Sequence, residues 1–476
     1  MPCPYNRGVG IYWIRRCSAA NPREIRIMGI LVGSESDGSG FTYWRDRMNF
    51  CAFRTRAWVW VLGLFLSATV CAAQSISPVI EVPNPPNSAA QQGKHYVVLV
   101  SLDGFRYDYA KKYGAKNLLQ IAARGASAPQ GMIPAYPSVT FPNHYTIVTG
   151  LYPEHHGIVA NSFYDPARKE RYSYTNSKAV QDGSWYGGTP LWVLAEQQGM
   201  RAASFFWPGS EADIQGRRPS YYLAFDEKFP DEKRVEQIIA WLRLPPEQRP
   251  HFITLYYSNV DHAGHTSGPD APETGEAVRH VDDMIGQLAA GIKSLGLPVD
   301  LIVVADHGME GTPGGWITLD KWADLSQFET AGSLMYANSE VDAEMAYKSL
   351  LVASDAFKVY RRANMPKHLH FDSNPREGDP IVVPTGPYNI AAHVPMSNGK
   401  PSTPNLGGHG YDPRTMPSMK AIFYAEGPDI RAGVAVAPFE NVNVYPLIAK
   451  ILGLRIGTID GKLSVLQGIL KIPSQN

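Results

Sequence analysis

Tyr96-Val-Val-Leu-Val-Ser-Leu-Asp103 is a short, nearly continuous apolar run, rich in β-branched residues, that ends abruptly on a carboxylate. Two more runs share this form: Phe252-Ile-Thr-Leu-Tyr-Tyr-Ser-Asn-Val-Asp261 and Leu301-Ile-Val-Val-Ala-Asp-His307. A run with no polar face reads as a strand buried on both sides, as in a parallel sheet. Helix-like stretches lie between them at 117–124, 191–198, 233–242 and 274–295. This alternation predicts an α/β fold, a three-layer sandwich with a mostly parallel central sheet flanked by helices. Such sheets bind ligands at the carboxyl ends of their strands, where these aspartates fall.

Farther along, 421–425 reads as a fourth strand and 444–452 as a closing helix. The Pro/Gly/Asn-rich stretch 365–405 has weak periodicity and is either a small insert subdomain or a set of loops framing the site. With its flank it sets a small insert near 320–405 inside a single domain spanning 95–470. No internal repeat, low-complexity run or coiled-coil heptad interrupts this organisation.

The 476 residues are 44% hydrophobic and 18% charged, which excludes a disordered or fibrous chain. Zero formal net charge gives no support to broad affinity for a nucleic-acid duplex or an anionic membrane. Before the first strand, two arginines (Arg54, Arg56) precede a short apolar run that closes on small residues at Ala72 and Ala73, the layout of a signal peptide over 48–73. The apolar run 57–70 is shorter than the ~20 residues of a spanning helix, so no stable membrane span is expected after cleavage. Lipidation at Cys71 is discounted because Val70 stands where a small residue is required. Residues 1–47 read as a non-native or mis-annotated extension, with Met48 as the start and Met28 as another candidate, and the proline-rich 74–94 as a linker. All four cysteines (Cys3, Cys17, Cys51, Cys71) precede the cut, so a metal in the mature chain must be held by His and carboxylate. A cysteine-free exported chain suits a bacterial envelope, periplasmic or secreted.

Asp261-His-Ala-Gly-His265 sets a carboxylate and an imidazole four residues apart in what reads as a glycine-containing turn. Asp306-His307 ends another strand, Asp103 ends the first, and His409 lies in the glycine-rich loop Gly407-Gly-His-Gly-Tyr-Asp412. Singly, each is ordinary loop decoration; together they supply the mixed His and Asp donors that zinc accepts, although manganese or cobalt would also be admitted. Between the first two of these strands, Pro137-Ser-Val-Thr-Phe-Pro-Asn-His-Tyr-Thr146 is followed by Gly150. The pattern is that of a helix cap, with the helix begun by Pro142. It also sets a hydroxyl at a helix N-terminus, a natural seat for phosphate.

Ser101-Leu-Asp-Gly-Phe-Arg106, Thr140-Phe-Pro-Asn-His-Tyr145, Gly150-Leu-Tyr-Pro-Glu-His-His-Gly-Ile158, Asp261 with His265, Ala305-Asp-His-Gly-Met309 and Gly408-His-Gly-Tyr411 occur in this order. Over 96–428 the chain thereby resembles the nucleotide pyrophosphatase/phosphodiesterases of the alkaline phosphatase superfamily, bacterial type. The resemblance implies two zinc ions per chain, one on Asp261, His265 and His409, the other on Asp103, Asp306, His307 and the Thr140 oxygen. It implies Thr140 as nucleophile, Asn161 as donor to a phosphoryl oxygen, and Phe141 and Tyr256 as aromatics sandwiching a nucleotide base. The implied reaction cleaves nucleotides and other small phosphodiesters to nucleoside monophosphates through a phosphothreonine. Competing activities are a phosphate monoesterase, a phospholipid or phosphonate hydrolase, an envelope phosphoryl transferase, or a noncatalytic binding protein. The complete set of metal-site residues counts against the last. His144, His155, His156 and His262 match no motif and are expected to be structural or surface groups.

Overall fold

A computed structural model describes residues 77–471; the extension 1–47, the signal segment 48–73 and all four cysteines lie outside the described residues. The nine strands of the main sheet are β1 (Ile80–Glu81), β2 (Tyr96–Leu102), β3 (Ala126–Ser127), β4 (Ala202–Phe205), β5 (Tyr221–Leu223), β6 (Phe252–Tyr257), β7 (Val299–Val304), β8 (Phe423–Glu426) and β9 (Val434–Ala435). The principal helices are α1 (Lys116–Arg124), α2 (Thr140–Thr149), α3 (Leu191–Gln197), α4 (Asp231–Leu242), α5 (Asn259–Ser267), α6 (Pro272–Ser294), α7 (Glu340–Leu351) and α8 (Val444–Leu452). Across the sheet the order is β1-β5-β4-β6-β2-β7-β8-β3-β9. The central run β5 to β7 is parallel, and β8 pairs antiparallel with β7. The α/β sandwich is therefore as expected.

Every residue of β2, β6 and β7 is buried, so alternate side chains feed two cores. On one side, α6 packs against α1, α4 and α5. Its buried Val278, Val281, Ile285, Leu288 and Ile292 recur at steps of three and four, a single apolar stripe. Each such side chain contributes roughly 1.5–3 kcal/mol on burial. Asp282 on the same helix accepts the backbone N–H groups of Asn117 and Leu118 at 3.0 and 2.8 Å, satisfying donors that the first turn of α1 leaves free. A second group contains α2 and α8, with α8 against α2 and β2.

The register sets the site. Leu102 of β2 stands beside Tyr257 of β6, and Ser101 beside Val304 of β7, so these three strands end at one edge. Asp103, Asp261 and the pair Asp306-His307 follow directly.

The linker expected at 74–94 is corrected over its described part. Ile80 and Glu81 pair antiparallel with Tyr222 and Tyr221. Asn87 is buried, its amide donating to the Pro246 and Arg249 carbonyls, both at 2.7 Å, while Oδ1 accepts the Arg201 N–H. Proline content misled here because an edge strand tolerates proline as readily as a tether does. The stretch 320–405 contains a hairpin (Phe328–Ala331 with Leu334–Ala337), α7, and a strand pair (Phe357–Tyr360 with Ile381–Pro384). These close over an apolar cluster of their own that includes Leu319, Met335, Leu350, Phe357 and Val382. Among the described residues no helix is long and apolar enough to cross a membrane.

Candidate active site

At the carboxyl edge, Asp103, Asp306 and His307 are almost wholly buried. His307 Nε2 lies 2.9 Å from Asp306 Oδ2 and 3.6 Å from Asp103 Oδ1. Asp261 and His265 sit on α5, a helix and not the turn expected from their glycine. Four residues apart, they share one face, with His265 Nε2 3.5 Å from Asp261 Oδ1. His409 comes from a loop laid against that helix, its Nε2 3.6 Å from Asp261 Oδ1 and 3.1 Å from His265 Nε2.

Close backbone approach makes this convergence possible. Gly104 has φ of +67°, and a Cβ there would stand 2.8 Å from Asp261 Cα. A Cβ on Gly407 would stand 2.2 Å from the Gly264 carbonyl oxygen. Glycine at these positions records contact between the Asp103 loop, α5 and the His409 loop.

The three imidazoles are oriented alike. His265 Nδ1–H donates to Gly407 O at 2.8 Å, His307 Nδ1–H to Gly308 O at 2.9 Å, and His409 Nδ1–H to Ser138 O at 3.0 Å. Because a carbonyl only accepts, each ring carries its proton on Nδ1 and turns the Nε2 lone pair inward. Facing them, Asp103 Oδ1, Asp261 Oδ1 and Asp306 Oδ2 are buried without a hydrogen-bond partner. Buried acceptors of this kind are what a bound cation would satisfy. Asp103, Asp306 and His307 form one group with ligand atoms close enough to share an ion; Asp261, His307 and His409 form another. Mixed imidazole and carboxylate donors fit a divalent ion such as zinc.

Electrostatics agree with that fit. Burial, then the Asp306 and Asp261 charges, pushes Asp103 well above the carboxylate range, and burial raises Asp261. Burial also acts to raise Asp306, but the His307 and His144 rings outweigh it and hold this carboxyl low. Burial, reinforced by His307 and His265, drives His409 far below an ordinary imidazole. Asp103 and Asp261 are thus the carboxylates left without a compensating cation.

Thr140 is the first residue of α2, after extended Val139. As the first helical residue and not the cap, Thr140 does not spend its hydroxyl on the helix, and Oγ1 lies 3.5 Å from His307 Nε2. Asn161 Oδ1 accepts the Phe141 N–H at 2.8 Å, which fixes the amide orientation and leaves Nδ2 available to donate. His144 is buried and ties α2 to the sheet, with Nδ1 2.9 Å from Thr140 O and Nε2 2.8 Å from Ser101 Oγ. His156 pairs with Thr146 and His155 with Asp460, while His262 is exposed, so none of these faces the cluster.

Thr140, Asn161 and the cluster open into a cavity of about 620 Å³ whose wall includes Phe141, Tyr174, Phe225 and Tyr256. Tyr256 differs from the expectation of an open stacking face. It is 7% exposed, and its hydroxyl donates to Asp103 Oδ2 at 2.6 Å. Tyr174 and Phe225, each 51% exposed, are the open rings. Both come from segments with no periodic pattern, so nothing in the sequence marked them.

A family profile described as type I phosphodiesterase/nucleotide pyrophosphatase matches residues 97–412. An uncharacterized pyrophosphatase/phosphodiesterase of Schizosaccharomyces pombe is 34% identical over 85% of this chain and 87% of its own length. Human ectonucleotide pyrophosphatase/phosphodiesterase family member 1 is 35% identical over 82% of this chain but only 43% of its own length. A venom phosphodiesterase of Naja atra is 35% identical over 80% of this chain and 47% of its own, so the chain spans less than half of either of these two relatives. Among solved structures, murine ectonucleotide pyrophosphatase/phosphodiesterase 5, in an inactive form in complex with AMP, superposes with a TM-score of 0.73. That match has 29% identity and covers 79% of this chain and 100% of the other.

Proposed function

Because this chain belongs to the type I phosphodiesterase/nucleotide pyrophosphatase family, we propose that it is a two-zinc hydrolase that cleaves nucleotides and related phosphodiesters to nucleoside monophosphates through a phosphothreonine at Thr140. One ion would be held by Asp261, His265 and His409, the other by Asp103, Asp306, His307 and the Thr140 oxygen. When bound, such ions ease loss of the Thr140 proton and neutralise charge on the phosphoryl and leaving oxygens. The chain's residues do the rest. Thr140 Oγ1 forms a bond to phosphorus as the bond to the leaving oxygen breaks, and that oxygen keeps the electron pair. Water then cleaves the Oγ–P bond, and two inversions give net retention. Asn161 Nδ2 donates to a non-bridging oxygen, and Phe141 receives the base. Phe225 and Tyr174, exposed in the same cavity, are better candidates for its aromatic partner than the buried Tyr256.

The observation that carries this reading is the convergence of three inward Nε2 lone pairs and three unpaired carboxylate oxygens beside the Thr140 hydroxyl. None of the described residues lining the cavity is an arginine or lysine, which suits a diester better than the more highly charged monoester. The test compares a thymidine monophosphate nitrophenyl diester with nitrophenyl phosphate, using protein beginning at Gln74 with zinc added. A strong diester preference is expected; a monoester preference would overturn the substrate assignment. Thr140→Ala should abolish turnover while two zinc ions remain bound, and retained hydrolysis would sink the covalent mechanism.

The relatives include proteins named as ectoenzymes and venom enzymes, which supports export of this chain. Residues 48–73 would supply the signal, with cleavage after Ala73 and release to the periplasm or medium.

A further inference from the structure

A second cavity, of about 400 Å³, adjoins the first. Asn161, His265 and His409 line both, whereas Thr140 lines only the first. In an in-line displacement the leaving group departs opposite the attacking oxygen. With Thr140 as nucleophile and an ion on Asp261, His265 and His409 taking the leaving oxygen, the departing group would stand beside His265 and His409, which also line the second cavity.

The wall of this cavity is distinctive. None of the described residues lining it is Lys, Arg, Asp or Glu, and aromatic or aliphatic side chains such as Trp316, Tyr388, Phe371, Leu334 and Ile390 dominate. Leu334, Tyr388 and Ile390 belong to the inserted segment, and Trp316 lies just before it. Trp316 is held in place, its Nε1–H donating to Ser402 O at 2.8 Å and its strand paired in register with Asn389–Ala391.

We propose that this cavity is the leaving-group subsite and selects phosphodiesters that release an uncharged, aromatic-bearing alcohol over those that release pyrophosphate. The ion that Asp261, His265 and His409 would hold serves the leaving oxygen of either substrate, but the further negative charges of a departing pyrophosphate would move along a wall without one cationic side chain and lose hydration unrepaid. An aryl or nucleoside alcohol instead exchanges water for ring contact, and the volume suits a group of that size. The electron pair of the broken P–O bond stays on the departing alcohol oxygen, which takes up a proton from water. The inference rests on Thr140 being the nucleophile, and under it the inserted segment governs which group leaves.

The test uses two substrates that deliver the same thymidine 5′-phosphoryl group to Thr140, the 4-nitrophenyl ester of thymidine 5′-monophosphate and thymidine triphosphate, both with the zinc-loaded enzyme. The aryl ester is expected to have the lower KM. Trp316→Ala should raise that KM by about tenfold and leave the triphosphate's KM unchanged. Tyr388→Ala does the same in parallel in case loss of the tryptophan disturbs folding. Ser333→Lys, adding a cation to this wall, should lower the triphosphate's KM. If the three variants leave the ratio of the two kcat/KM values unchanged while both substrates turn over, the subsite is wrong and the reaction stands. If neither substrate turns over in the wild type, the proposed reaction itself fails, and the subsite with it.

Discussion

Asn161→Asp exchanges one amide nitrogen for oxygen at a residue with two separate roles. Its Oδ1 accepts the Phe141 N–H at 2.8 Å, and its Nδ2 remains free on a side chain that lines the reaction cavity. The aspartate keeps the acceptor and sets its charge at the N-terminus of α2, a location worth about 0.3–1 kcal/mol in its favour. Loss of a single oxyanion donor costs about 10²–10³ in kcat, roughly 2.7–4 kcal/mol, and a carboxylate facing phosphoryl oxygens adds repulsion to that loss. Asn161→Ala removes donor and acceptor together. It should lose a similar rate factor and, in addition, about 1 kcal/mol of stability from the orphaned Phe141 N–H, lowering Tm by about 2 °C in a domain of this size. The assay pairs kcat on the thymidine aryl diester with Tm of the zinc-loaded protein. Activity should fall in both variants, and Tm only in Asn161→Ala. An Asn161→Asp enzyme within about threefold of the wild-type rate would refute the donor assignment.

Gly104→Ala should lower kcat by about 10²-fold, because its Cβ at 2.8 Å from Asp261 Cα forces the Asp103 loop away from α5 and misplaces the cluster; a variant with normal zinc content and normal kcat would show that the approach is not needed. At the opposite edge of the sheet, Asp300 is buried and its carboxyl pushed up to about 8, by burial and by the facing Asp429, with His95 and Lys471 the other charged or titratable neighbours. A carboxyl raised in the folded state binds its proton more tightly there than in the unfolded chain, so stability should fall as pH rises from about 4 toward 8. Asp300→Asn should flatten that slope and be the more stable protein at pH 8; denaturant titrations at several pH values measure both, and an unchanged slope would remove Asp300 from the account.

The strands that build the site were legible because burial on both faces removes polar residues from the run, as in β2, β6 and β7. The closing helix was legible to the residue, 444–452, with Gly453 in the left-handed region ending it. Strands β1, β3, β5 and β9 are two or three residues long, too short to carry a period. Helix α5 was misread as a turn because Gly264 looks like a breaker, whereas a Cβ there would stand 2.9 Å from Met309 Cε, and the glycine answers to packing. The Asp and His residues that converge at the candidate site were legible through motif order, since each follows a strand end or sits in a glycine-rich loop. The open rings Tyr174 and Phe225 were not, since a cavity wall assembled from unrelated loops imposes no rule on any one of them.

The inward-facing imidazoles and carboxylates also set a schedule. Asp103 leaves the ribosome early and His409 late, and the last donor joins the first only when the His409 loop has docked beside Ser138. An incomplete set offers an ion a fraction of its final grip, because the tautomers that aim each lone pair depend on backbone carbonyls of the finished fold. Uptake of a metal at this cluster would therefore follow folding. An ion held there would be drawn from the compartment in which the chain finished folding, whichever compartment made it.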